Sequence, residues 1–144
     1  MLPRVSTAMF VVVALFALAV DAQETKDDKK AIQGSWTAKK DDKSAKLTFN
    51  AEKFTLELGG KTIKGTFTID SSKTPKHIDL TVTKGSDAAA QKFEGKTSKA
   101  IYEFDGDRFK WLAPSPGDEE RPTAFPQEGE QARGLYLIFD REKK

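Results

Sequence analysis

The feature that most constrains this chain is a strict alternation of apolar and polar residues, repeated in one short segment after another from Thr37 onward. In "KLTFN", Leu47 and Phe49 alternate with Lys46 and Thr48; in "KFTLELGG", Phe54, Leu56 and Leu58 alternate with Thr55 and Glu57. In "TIKGTFTID", Ile63, Phe67 and Ile69 share a face with Gly65, and in "HIDLTVT", Ile78, Leu80 and Val82 alternate with Asp79 and Thr81. A period of two gives each strand one dry face and one wet face, which suits antiparallel sheet and not helix. Gly59-Gly60 and Asp105-Gly106 stand between such runs as hairpin turns.

The pattern predicts eight strands, at about 34–39, 45–50, 53–58, 62–69, 77–83, 97–104, 108–112 and 133–141. Only residues 25–32 read as a short helix. Short antiparallel strands joined in sequence suggest a closed up-and-down barrel, since closure removes the exposed edges of an open sheet. A two-sheet sandwich is the alternative. In a meander, alternate connections lie at opposite ends. The connections at 51–52, 70–76 and 105–107 are short, whereas 84–96 and 113–132 are long. One end is therefore tight and the other carries long loops, the asymmetry of a cup.

Parity also assigns a role to "GSWT". The first strand starts and the last strand ends at the tight end, so Gly34, Trp36 and Arg141 meet there. An indole can plug a narrow base, with a guanidinium stacked on it, and Gly34 lets the backbone approach. These residues make a structural closure.

The G-x-W at the first strand, the Arg near the end of the last and the meander resemble the calycin group of lipocalins, fatty-acid-binding proteins and avidins. A closer resemblance is to an uncharacterised lipocalin-like domain family of exported bacterial proteins. It is carried by "IQGSWT", "GKTIKGTFTID", "PKHIDLTVTKG", "AIYEFDGDRFK", "ERPTAF" and "LYLIFDREK", and it covers nearly all of 27–143. The resemblance implies an all-β fold, an eight-stranded antiparallel up-and-down lipocalin-like barrel with a short N-terminal helical turn. It brings no established activity. The chain is shorter than lipocalins and has no cysteine, which argues against a large ligand chamber.

The start of the chain reads differently. Arg4 precedes an apolar run from Ala8 to Val20 that ends in small-residue contexts, the pattern of a secretory signal peptide, and too short to span a bilayer comfortably. A lipid anchor would need a Cys after that run. Cleavage is expected near Ala22, giving a signal peptide at 1–22, a lipocalin-like barrel domain at 23–144, and a secreted or periplasmic protein with no integral membrane anchor. Residues 23–144 suffice for one domain, which buries roughly two-thirds of its unfolded surface without disulfides or a metal. Their 23 basic and 21 acidic side chains are too balanced for a dedicated nucleic-acid binder.

Catalytic chemistry finds little purchase. There is one histidine, His77, at a strand start, and no cysteine, so a metal site is not expected. No G-x-S-x-G nucleophile turn occurs. Asp105-Gly106-Asp107 lacks the flanking ligands of a calcium loop and reads as a turn. Asp118-Glu119-Glu120 reads as a solvated charge run, since catalytic carboxylates need burial or a partner. Lysines 39, 40, 43 and 46 are interleaved with Asp41 and Asp42, and read as a soluble face. The string "RFKWL" could stack bases, but its alternation puts Phe109 and Trp111 on one face, as a barrel interior requires. No catalytic residues and no cofactor are expected, and the protein reads as a non-enzyme.

Two functions fit. One is a binding module for a small hydrophobic or amphipathic ligand, lined by Phe54, Leu56, Phe67, Leu80, Tyr102, Trp111 and Leu137. The other is an envelope structural or protein-interaction domain whose barrel core is filled by those same side chains. The 113–132 loop carries four prolines and a net charge of −4. It reads either as a lid over the basic open end, anchored by Phe125, or as a flexible acidic linker.

Overall fold

The computed structural model describes residues 25–40 and 42–142, so the predicted signal peptide lies outside the described residues. Residues 25–31 form helix α1. Eight strands follow: β1 (Gly34–Lys40), β2 (Lys43–Asn50), β3 (Lys53–Leu58), β4 (Lys61–Asp70), β5 (Lys76–Gly85), β6 (Thr97–Asp105), β7 (Arg108–Ala113) and β8 (Leu135–Arg141). Each pairs antiparallel with the next, and β1 pairs with β8, giving the closed up-and-down barrel that the alternation predicts. A one-turn helix that the periodicity did not show, α2 (Ala88–Gln91), lies in the β5–β6 connection. Asp87 caps it, its carboxylate accepting from the Ala90 N–H at 2.8 Å.

Register follows from the turns. Gly59 and Gly60 both have positive φ, +56° and +84°, as a two-residue hairpin loop demands. That turn sets Leu56 opposite Ile63, and the tight turn at 51–52 sets Phe49 opposite Phe54. The ladder between β4 and β5 slips between Lys64 and Gly65, a bulge that bends the strand. A Cβ at Gly65 would sit 1.8 Å from the Thr81 carbonyl oxygen, so only glycine lets the two backbones approach there.

The interior is graded. At the tight end, Trp36, Phe49, Phe67, Tyr102, Phe104 and Phe109 meet in a mesh of tilted and edge-to-face rings whose centroids lie 4.7–6.1 Å apart. Helix α1 crosses beneath them. Asp28 accepts from the Tyr102 hydroxyl at 2.8 Å and from Lys76 Nζ at 2.9 Å, and Thr25 and Ser71 share a hydroxyl–hydroxyl bond. Ile32, just after the helix, is fully buried.

Closure is brief. Between β1 and β8, only Trp36↔Arg141 and Thr37↔Asp140 are in register, and the ladder does not continue to Lys39 and Ile138. What holds this short join is Arg141. Its Cζ lies 4.2 Å from the centroid of the buried Trp36 ring, and its two terminal nitrogens donate to the carbonyls of Ala31 (2.6 Å) and Gln33 (3.1 Å). The Trp36 indole N–H in turn donates to the Ile32 carbonyl at 2.9 Å. The carbonyls at the end of α1, which no further turn of helix satisfies, are thereby bonded to a cation and an indole. Gly34 has φ +109°, which a side chain would strain; a Cβ there would meet Arg141 only at ordinary contact distance. Its role is conformational, and not the steric clearance expected from the sequence.

Arg141→Met keeps the aliphatic cover but removes the cation and both donors. The variant is expected to lose about 2–3 kcal/mol of stability in urea unfolding followed by tryptophan fluorescence.

Candidate functional site

At the opposite end the packing opens into a cavity of about 340 Å³. Phe54, Leu56 and Leu58 of β3, Ile63 of β4, Leu80 and Val82 of β5, Trp111 and Ala113 of β7, and Leu135 of β8 form its wall. Ala113 is the small residue of that wall; Ala38, Ala45 and Ala100 are buried in the core but do not line the cavity. Phe93, Pro114, Ser115, Pro116 and Gly134 form the mouth, and Lys61 is the charged residue in the lining.

Two connections fix that mouth. The β5–β6 connection folds back on β5, with Val82 N–H donating to Lys96 O and Gly95 N–H to Val82 O, which brings Phe93 over the opening. The start of the β7–β8 connection is tied to β6: Ser98 Oγ donates to Pro114 O at 2.7 Å and Gly117 N–H to Thr97 O at 3.0 Å.

Of the lining residues proposed from the sequence, Phe54, Leu56, Leu80 and Trp111 lie in the cavity wall. Phe67, Tyr102 and Leu137 point inward but do not line the cavity. Phe67 packs on Phe49, and the Tyr102 hydroxyl is bonded to Asp28. Alternation identifies the inward face of a strand but not its height in the barrel, so aromatics of the filled half were grouped with those of the hollow half. For the same reason Leu58, Ile63, Val82, Ala113 and Leu135 were missed, although each continues an inward-facing series. Phe93 and the prolines carried no periodic signal.

Phe125 is a correction. It does not lie over the open end; its ring packs against Tyr136 on the outer wall, with centroids 6.0 Å apart. Past Pro116, whose neighbours line the mouth, the long loop is a flap on the outside of β6 and β7. Arg121 pins it, donating to Ala100 O at 2.7 Å and pairing with Asp79 at 2.5 Å. Beneath it, Ile101 and Leu112 point away from the core and are nevertheless 0% and 3% exposed. Covering two such side chains contributes roughly 1.5–3 kcal/mol each, enough to hold a loop whose acidic residues stay in water.

Other hollows lie on the surface. One of about 790 Å³ lies beside the β1–β8 seam, lined by residues of β1, β2 and β3, among them Ala38, Ala45 and Leu58, and by Ile138 and Asp140 of β8. Ile138, 43% exposed, is the large exposed apolar side chain among the described residues. A hollow of about 570 Å³ lies under the flap, lined by Leu112, Arg121, Phe125 and charged neighbours. Both mix charged and apolar groups, unlike the barrel cavity.

His77 sits opposite Asp70 near the tight end. Burial, and then the nearby Arg121 guanidinium, hold its imidazole below the ordinary value, against the smaller opposing pull of Asp70 and Asp79. Hydrogen bonds from the Ser72 hydroxyl and N–H hold Asp70 below the usual carboxylate range.

Comparison with family models, with curated proteins and with solved structures yields no match. The barrel and its cavity are therefore the grounds for a functional reading.

Because folding depresses the His77 pKa, the unfolded chain takes up this proton first as pH falls. Stability associated with His77 is whole above about 6.5 and is lost as pH drops through its folded value. The midpoint of thermal unfolding is expected to fall between pH 7 and 5, and to fall less in His77→Gln.

Proposed function

We propose that this is an exported, non-enzymatic binding module that holds a small hydrophobic or amphipathic molecule in the open half of its barrel. The observation that carries this reading is the apolar cavity of about 340 Å³, walled by Phe54, Leu56, Ile63, Leu80, Val82 and Trp111. Its size is near the lower end of the roughly 300–1,000 Å³ of ligand pockets, and its lining has their apolar character. A barrel with no ligand could fill this half as it fills the other. Instead, space remains beside Ala113 of β7, and two bonded connections shape a mouth.

Export rests on the Ala8–Val20 run with Arg4 before it. The second reading, an envelope interaction domain, draws its support from the β1–β8 seam, where the ladder stops and Ile138 is exposed.

Filling the cavity separates the two. Leu80→Trp puts an indole into the space from β5; it is expected to weaken binding of an environment-sensitive probe such as 1-aminoanthracene by at least about tenfold while leaving the protein folded. Equal probe binding by the two proteins would place the probe elsewhere and remove the reading. For export, mass spectrometry of the protein recovered outside the cytoplasm is expected to give Gln23 as the first residue.

A further inference from the structure

The chemistry of the cavity wall restricts what it can hold. Behind the mouth the lining is Phe, Leu, Ile, Val, Ala and Trp; the charged lining residue, Lys61, is exposed at the start of β4. A carboxylate or ammonium drawn inside would lose its water with no counter-charge beside it, so it would stay at the mouth or enter neutralised.

The polar groups of the wall are mostly committed. The strand backbones bond to their neighbours along the ladders, and the Ser98 hydroxyl donates to Pro114 O. One group differs. Among the described residues, Trp111 Nε1 is the buried side-chain polar atom without a hydrogen-bond partner, and its side chain is 1% exposed. An indole N–H is a donor only, so what it lacks is an acceptor. The Phe139 ring stands at 86° to the indole with centroids 5.5 Å apart, and an aromatic face is a weaker acceptor than a carbonyl or ether oxygen. The contrast with Trp36, whose N–H reaches a carbonyl at 2.9 Å, lies within the same barrel.

Resting on the binding reading above, we propose that the ligand is compact and uncharged, and carries a hydrogen-bond acceptor that Trp111 Nε1 engages. Ketones, esters and ethers with a short apolar body belong to this class. Long-chain amphipaths with a buried ionised head do not. The nitrogen is covered along with its ring, so the acceptor engages it only when the ligand displaces a neighbouring wall side chain. The apolar body then lies against Leu56, Leu80 and Val82. A molecule offering only a donor there would leave both its own group and the indole unpaired.

Three probes of nearly equal size test this on the intact protein: octane, 2-octanone and octanoate at neutral pH. Titrations are followed by tryptophan fluorescence and by the two indole N–H resonances in ¹⁵N-labelled protein. 2-Octanone is expected to bind about tenfold tighter than octane, the worth of one net hydrogen bond, and more tightly than octanoate. It should shift the Trp111 indole resonance and leave that of Trp36 in place. Trp111→Phe should keep octane binding and abolish the preference for the ketone; should that variant not fold, the indole shift in the unaltered protein decides. Equal binding of octane and 2-octanone, an unmoved Trp111 resonance, or tighter binding of octanoate would each overturn the inference while leaving a binding module. If none of the three binds, both the inference and the binding reading fall.

Discussion

The Arg141 guanidinium covers the Trp36 ring, bonds the carbonyls of Ala31 and Gln33, and sits on the strand that must meet β1 for the sheet to close. A closed sheet is only as secure as its last join, and this join is two register pairs and one further backbone bond, from Glu142 N–H to Ser35 O. Stacking a weakly hydrated, planar cation on a buried indole adds attraction without requiring more ladder. Anchoring α1 to the same cation ties the helix, the first strand and the last strand into one unit. Gln33 extends the tie to the β2–β3 turn, donating to Ala51 O and accepting from Ala51 N–H. Without this clamp, β1 and β8 would be ordinary edges with unpaired backbone groups.

From that clamp upward the barrel changes character. Large rings crowd the base, where α1 and the short connections leave no outlet. Further up, mainly aliphatic side chains line the wall and the strands enclose space. One wall of this space is an indole whose N–H has no partner, in a protein whose other indole is fully bonded. Burying an unpaired donor costs about 1–3 kcal/mol, which a well-filled core would avoid. Cavity and unpaired donor together set the upper half apart from the packed lower half.

The acidic flap shows how a long loop can be ordered without regular structure. Its charged residues face water, while Arg121 and Phe125 attach it to the outer wall and shield Ile101 and Leu112. Those two residues break the alternation of β6 and β7, where Ile101-Tyr102 and Trp111-Leu112 are apolar on both faces. That doubled pattern was visible in the chain as a sign that something covers the outside of these strands. The loop's composition did not reveal it, since the same prolines and acids suit a lid, a linker or a flap.

Local alternation and turn chemistry determined the strands, their order and their inward faces, because side-chain direction in a strand depends only on residue parity. Parity of connections also brought Trp36 and Arg141 to one end. How far up the barrel each inward side chain lies depends on register and shear, which are set by turns, by the bulge at Gly65 and by contacts distant in sequence. Only the tertiary structure could therefore separate the filled half from the hollow half, place Phe125 outside, and leave Trp111 without an acceptor.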